Sequence, residues 1–139
     1  ASLLTHSAFK LGYNLEELIK MLEVARERAS YLPGGMCGYD GCCGAAISAG
    51  IFAAVLLNTR PTAKPYWGDC NKLTSDVLAK IANYEGPRCC KRSVFIAITI
   101  ALDSMSNILD KDIRTTSEYH CKKSSINKDC HGSSCPFFG

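Results

Sequence analysis

Residues 86–93 read Gly86-Pro87-Arg88-Cys89-Cys90-Lys91-Arg92-Ser93, and the chain continues as VFIAITIAL over 94–102 and DSMSNIL over 103–109. Gly86 and Pro87 close whatever precedes them, and no glycine or proline interrupts the chain again before residue 109. A helix is therefore expected from Arg88 to about Leu109. Between residues 94 and 102 it is apolar almost all round. Such a helix belongs in the middle of a bundle, because it keeps no face for water.

The flanking segments carry the same period. Asn14 followed by Glu17 has capping-box spacing. Leu15, Leu18, Ile19, Leu22, Ala25 and Ala29 then recur at helical intervals, with Lys20, Glu23 and Glu27 turned to water. Pro33-Gly34-Gly35 stops that helix. A second is expected over about 43–58, and a third from near Asp69, with Leu73, Val77, Leu78 and Ile81 on one stripe. The first residues, through Leu11, also read as helical, so the chain opens as a piece of something longer would. No leader is visible, and no segment alternates with period two, so a sheet is not expected. The expected fold is all-α. It is a compact bundle of four to five helices around 45–57 and 94–109, one Cys-rich domain over 1–139. An irregular Cys-containing tail follows from about 110 to 139.

Composition narrows the function. Charged residues make up 21% and the net charge is +3 with no long basic run, so nucleic-acid binding gains no support. Residues 41–59 hold no charge, but the first half is small rather than greasy, which suits a tightly packed helix better than a membrane span. The outlier is cysteine, nine in 139 residues. A chain this long can bury a core without staples, and an odd number of thiols cannot all pair within it. A reduced, metal-binding or redox use is therefore preferred to a secreted disulfide framework.

The cysteines fall into different settings. Cys70 shares the third helix's apolar stripe and reads as a small core hydrophobe. Cys90 falls on a stripe with Val94, Ala97, Ala101 and Met105, so its sulfur is expected to point inward, with Cys89 turned elsewhere. Cys37 and Cys43 bracket Gly38-Tyr39-Asp40-Gly41, where the two glycines are expected to occupy positions that a side chain would obstruct. Cys43 and Cys89 lie at predicted helix starts, where unpaired amides and the helix dipole favour the thiolate, a nucleophile and metal ligand. Arg88, Lys91 and Arg92 add positive charge there. A bare helix start with such neighbours suits a bound phosphate or carboxylate equally well, and Arg88 and Lys91 are the candidates to hold an anionic cofactor.

In the polar tail, Cys121, Cys130 and Cys135 need something to fix them, either metal or disulfides, and Phe137-Phe138 offers a second anchor by burial. No C-x-x-C occurs, which fits zinc fingers and ribbons poorly. Cys135-Pro136 has the Cys-Pro step that follows cluster ligands in some ferredoxins. An iron–sulfur cluster held by thiolates from separate parts of the chain is the first choice of occupant, with zinc second. His6, His120 and His131 are available as nitrogen ligands.

Pro33-Gly34-Gly35, Cys37-Gly38-x-x-Gly41-x-Cys43-Gly44-Ala45-Ala46, Gly86-Pro87-Arg88-Cys89-Cys90-Lys91-Arg92 and Cys121…Cys130-x-Gly132-x-x-Cys135-Pro136 together resemble a cysteine-rich family called domain of unknown function 5714. The resemblance covers about residues 33–136. By it, the pattern cysteines are Cys37, Cys43, Cys89, Cys90, Cys121, Cys130 and Cys135, with Cys42 and Cys70 outside. It implies a cytoplasmic setting in anaerobes and a larger partner or fused enzyme, an S-adenosylmethionine-dependent methyltransferase or a radical enzyme. Two functions follow. One is a thiolate-based metal or iron–sulfur domain, a redox or sulfur-handling accessory to that enzyme; the other is a disulfide-stabilised extracellular structural or binding module. Direct catalysis by Cys89 or Cys90 lacks a partner base within sequence reach.

Overall fold

A computed structural model describes residues 1–139. Six α-helices follow one another: α1 Ser2–Leu11, α2 Leu15–Ala29, α3 Met36–Tyr39, α4 Gly44–Leu56, α5 Trp67–Ala82 and α6 Cys90–Leu109. Short 3-10 turns at Ser124–Ile126 and Gly132–Ser134 punctuate the tail, and the only extended pairing is an isolated bridge between Cys121 and Phe138. The all-α reading stands. The opening segment is a full ten-residue helix, and the glycine loop holds a single turn, α3, too short for periodicity to reveal.

Local chemistry accounts for the helix starts and stops. At α2, Asn14 Oδ1 accepts from the Glu17 amide at 3.0 Å while Glu17 Oε2 accepts from the Asn14 amide at 2.8 Å, a complete capping box. Gly12 ends α1 in the left-handed region, where a side chain would strain the backbone.

The core forms where α4, α5 and α6 meet. Ala46, Ala49 and Ala53 of α4 face Leu73 and Val77 of α5 and Ala97, Ala101, Leu102 and Met105 of α6, all buried. Small residues on α4 let the neighbouring backbones approach closely. A Cβ on Gly50 would collide with Thr74 Oγ1 and sit 3.7 Å from the Cys70 carbonyl oxygen. Cys70 is buried in this interface, as its stripe predicts.

Two predicted faces need correction. α2 buries no residue completely. Leu15 is 71% exposed and Ile19 47%, while Leu18, Met21, Leu22 and Ala25 pack against the core from one side. The helix lies at the edge of the bundle, so only a narrow strip of its apolar surface is covered. On α6 the buried set is Arg92, Ser93, Ile96, Ala97, Ala101, Leu102, Met105 and Ser106. Cys90 is exposed, contrary to its predicted inward direction, and so is Val94 on the same stripe, because at this end of α6 the covered face is that of Arg92, Ser93 and Ile96. By length and composition α6 could cross a membrane; here its middle packs against α4 and α5.

The tail has little regular structure but is tied down. Buried Ile113 donates its amide to Ser106 Oγ at 3.1 Å, and its carbonyl accepts from His6 Nε2–H at 2.9 Å. Farther on, Tyr119 stacks on Phe95 with ring centroids 5.3 Å apart, and Phe137 meets the same ring edge-on at 5.2 Å. Burial of Tyr119 pushes its hydroxyl pKa up. Of the terminal aromatic pair, only Phe137 serves as an anchor; Phe138 is half exposed.

Candidate functional site

The segment 86–92 joins α5 to α6 through a cis Gly86–Pro87 peptide. Cys89 is the N-cap of α6, in extended conformation, and no side chain caps the first amides. The positive end of the helix dipole is thus left open beside two adjacent thiols. Arg88 is exposed, and its Nη1 lies 3.9 Å from Cys37 Sγ. That contact, with Cys90 and Tyr39 also nearby, raises the Arg88 pKa further and keeps a positive charge among the thiols.

Arg92 is placed differently. It is only 6% exposed, yet no carboxylate forms an ion pair with it. Its guanidinium carbon lies 4.5 Å from the centre of the Tyr84 ring, and Nη2 donates to the Glu85 carbonyl at 3.3 Å. Its place in the chain groups this arginine with the cations around Cys89, yet unlike Arg88 it is buried. The signal was available: Arg92 and Ile96 are one helical turn apart on the same covered face.

Two cavities meet at this helix start. A groove of about 1400 Å³ takes in Cys37, Cys43, Cys89 and Cys90, and a smaller cavity of about 310 Å³ takes in Cys89, Cys90, Cys121, Cys130 and Cys135. Arg88 and Arg92 border both; Lys91 borders the smaller one alone. All seven pattern cysteines lie on these walls, and Cys42 and Cys70 lie on neither. Cys70 is held as a neutral thiol, its pKa raised by burial first and by neighbouring Asp69 second.

The thiols share walls without forming a ligand shell. All nine cysteines are free, and no three His, Cys, Asp or Glu side chains stand together in a group able to hold a metal ion. The donor chemistry fits a thiophilic metal, while the donor positions in this conformation fall short of a coordination shell.

The histidines separate cleanly. His131 borders the smaller cavity, and its Nε2–H donates to the Pro87 carbonyl at 2.7 Å, pinning the tail to the 86–92 segment. His6 is occupied with Ile113, and His120 is exposed beside Glu118; neither borders these two cavities. In the glycine loop, Gly41 has φ +65 and so needs to be glycine, but Gly38 does not fit the expectation. Its φ is ordinary and nothing lies within 4 Å of where a Cβ would stand. The crowding is at Gly35 instead, with φ +85 and the Tyr39 ring 2.9 Å from a would-be Cβ.

The chain belongs to the family of unknown function DUF5714, whose model matches residues 1–138. The match takes in α1 and α2 as well as the motif-bearing stretch from residue 33 onward. Neither the curated proteins nor the solved structures provide a significant match.

Proposed function

We propose that this domain binds a metal, with an iron–sulfur cluster first and zinc second, through thiolates. We further propose that it serves a larger enzyme as a redox or sulfur-handling accessory. One observation carries the reading: the seven pattern cysteines, and not Cys42 or Cys70, border two cavities joined at Cys89 and Cys90. Clustered thiolates repel one another unless positive charge lies among them. Arg88, Lys91, Arg92 and the open end of α6 supply such charge from the protein's side. Cys89 and Cys90 would be the shared ligands, with Cys37 and Cys43 from the groove or Cys121, Cys130 and Cys135 from the tail completing the set. A bound cluster would supply one-electron transfer or sulfur exchange; the chain's own part is to hold it, compensate its charge and shield it. By family resemblance, the partner would be an S-adenosylmethionine-dependent methyltransferase or a radical enzyme in the cytoplasm of an anaerobe.

The test is metal and sulfide analysis, with visible absorption, of protein purified without oxygen. Iron and sulfide, or zinc, should be bound in near-stoichiometric amounts. Cys89→Ser should lose most of the metal, while Cys42→Ser and Cys70→Ser should keep it. A colourless, metal-free protein whose mass shows cystines among the same seven residues would establish the disulfide-stabilised module instead.

A further inference from the structure

Arg92 presents a problem that the thiols do not solve. A buried charge costs several kcal/mol unless something compensates it, and the chain offers this guanidinium one carbonyl and one aromatic face. Most of its five N–H donors have no partner within the protein, and none of the free nitrogens is sealed from solvent, so they stand open to a ligand. Arg92 also borders the groove of about 1400 Å³, whose walls are mainly apolar, with Phe52, Leu78, Ile81 and Ile98 among them. Glu85 is the one acidic residue on that wall, against Arg88 and Arg92. Small-molecule sites commonly occupy about 300–1,000 Å³, so the groove has room for a sizeable ligand.

An independent feature points the same way. Gly34 and Gly38 border the groove with ordinary backbone angles and open space where a Cβ would stand. Neither the backbone nor the packing of the chain requires glycine there. Gly38 lies within α3, where glycine is less favourable than alanine. A wall left bare without an internal reason suits close approach by something outside the chain.

We infer that the groove binds a small organic acid with an apolar body, its carboxylate held by Arg92 and the open amides of α6, its chain lying along the bare glycine wall. A planar carboxylate matches the guanidinium fork and accepts two parallel hydrogen bonds. Its charge would satisfy both the buried arginine and the positive end of the helix. This inference goes beyond the thiolate reading and shares Arg92 with it.

Decanoate and decanol, both below their aggregation limits, are suitable probes for calorimetric titration of the whole chain. Charged hydrogen bonds of this kind are worth about 1.5–3 kcal/mol, so decanoate should bind at least about tenfold more tightly than decanol. Arg92→Gln should remove that preference and leave decanol binding unchanged. Gly38→Leu should weaken both probes about tenfold while melting like the wild type, because its side chain enters open space. Equal binding of the two probes to the wild type, or a preference that survives Arg92→Gln, overturns the inference. Should Arg92→Gln fail to fold, Gly38→Leu still decides: normal folding with undiminished decanoate binding overturns it. Metal content measured on the same samples separates the two proposals. In the wild type, no decanoate preference with metal retained removes this inference alone, and absent metal with the preference intact removes only the thiolate reading.

Discussion

Cys70 and Cys90 are the same residue on two neighbouring helices, and they mark the two kinds of region in this molecule. Cys70 lies where α4, α5 and α6 close on one another, its thiol held neutral among alanines and a glycine. Cys90 lies on the uncovered side of the first turn of α6, beside arginines and two cavities. In the first region small side chains exist because other backbones fill the space. In the second, small side chains border space that the chain itself leaves open. Residue type alone does not separate a packing thiol from an accessible one; what surrounds it does.

The sharpest way to break the comparison is to place one charge in each region. Ala101→Asp buries a carboxylate in the three-helix interface and should unfold the domain, since the cost of several kcal/mol compares with a total stability of about 5–15 kcal/mol. Cys90→Asp should leave the melting temperature within a few degrees of wild type. Circular dichroism on heating checks both, and a folded Ala101→Asp variant would show that α6 is not central.

A smaller effect belongs to the boundary between the regions. Phe137→Ala removes one ring from the Phe95–Tyr119–Phe137 cluster that holds the tail. Because Phe137 is only half-buried, the expected loss is about 1–2 kcal/mol, below the usual range for a core phenylalanine. Limited proteolysis should then cut the segment after residue 114 faster while the helices stay protected. Equal cutting in both proteins would mean that the tail is held by other contacts.

The smallest effect is a pH slope. The Cys70 thiol has a raised pKa in the fold, so the unfolded chain ionises first as pH rises. The contribution from the neutral buried thiol is complete below the ordinary thiol range and is lost as pH climbs from there toward the raised value. Cys70→Ala should therefore show a shallower decline of stability in alkaline solution than the wild type. Matching declines in denaturant titrations would place the thiol in contact with water.

Helices were legible in the sequence because their cues are local. The Asn14–Glu17 pair marks the start of α2, and Gly86–Pro87 marks the approach to α6, within a few residues of each event. Cys70 was legible for the same reason, lying one turn from Leu73 and two from Val77 on a clean stripe. Directions at helix ends were not legible. The stripe through Ala97, Ala101 and Met105 extrapolates to Cys90, but at that end of the helix the covered face has moved round to Arg92, Ser93 and Ile96. The exposed side of α2 was hidden similarly, since an apolar residue such as Leu15 does not record whether a neighbour covers it. The family motifs singled out the seven thiols. Their placement on two cavities sharing one helix start depends on how the tail folds back through His131 and Phe137, a long-range event with no local signature.

Arg92 stands between the two cavities with a single guanidinium to offer both. Neutralising it from one side changes the electrostatic potential on the other, so the cavities are thermodynamically linked. On the proposals above, an anion in the groove that engaged Arg92 would withdraw positive charge from the smaller cavity, and a negatively charged occupant of that cavity would compete for the same cation. By reciprocity, the factor by which one occupant weakens the other is the same in both directions. On the two proposals together the domain would work as an exchange: filling either chamber would raise the free-energy cost of filling its neighbour.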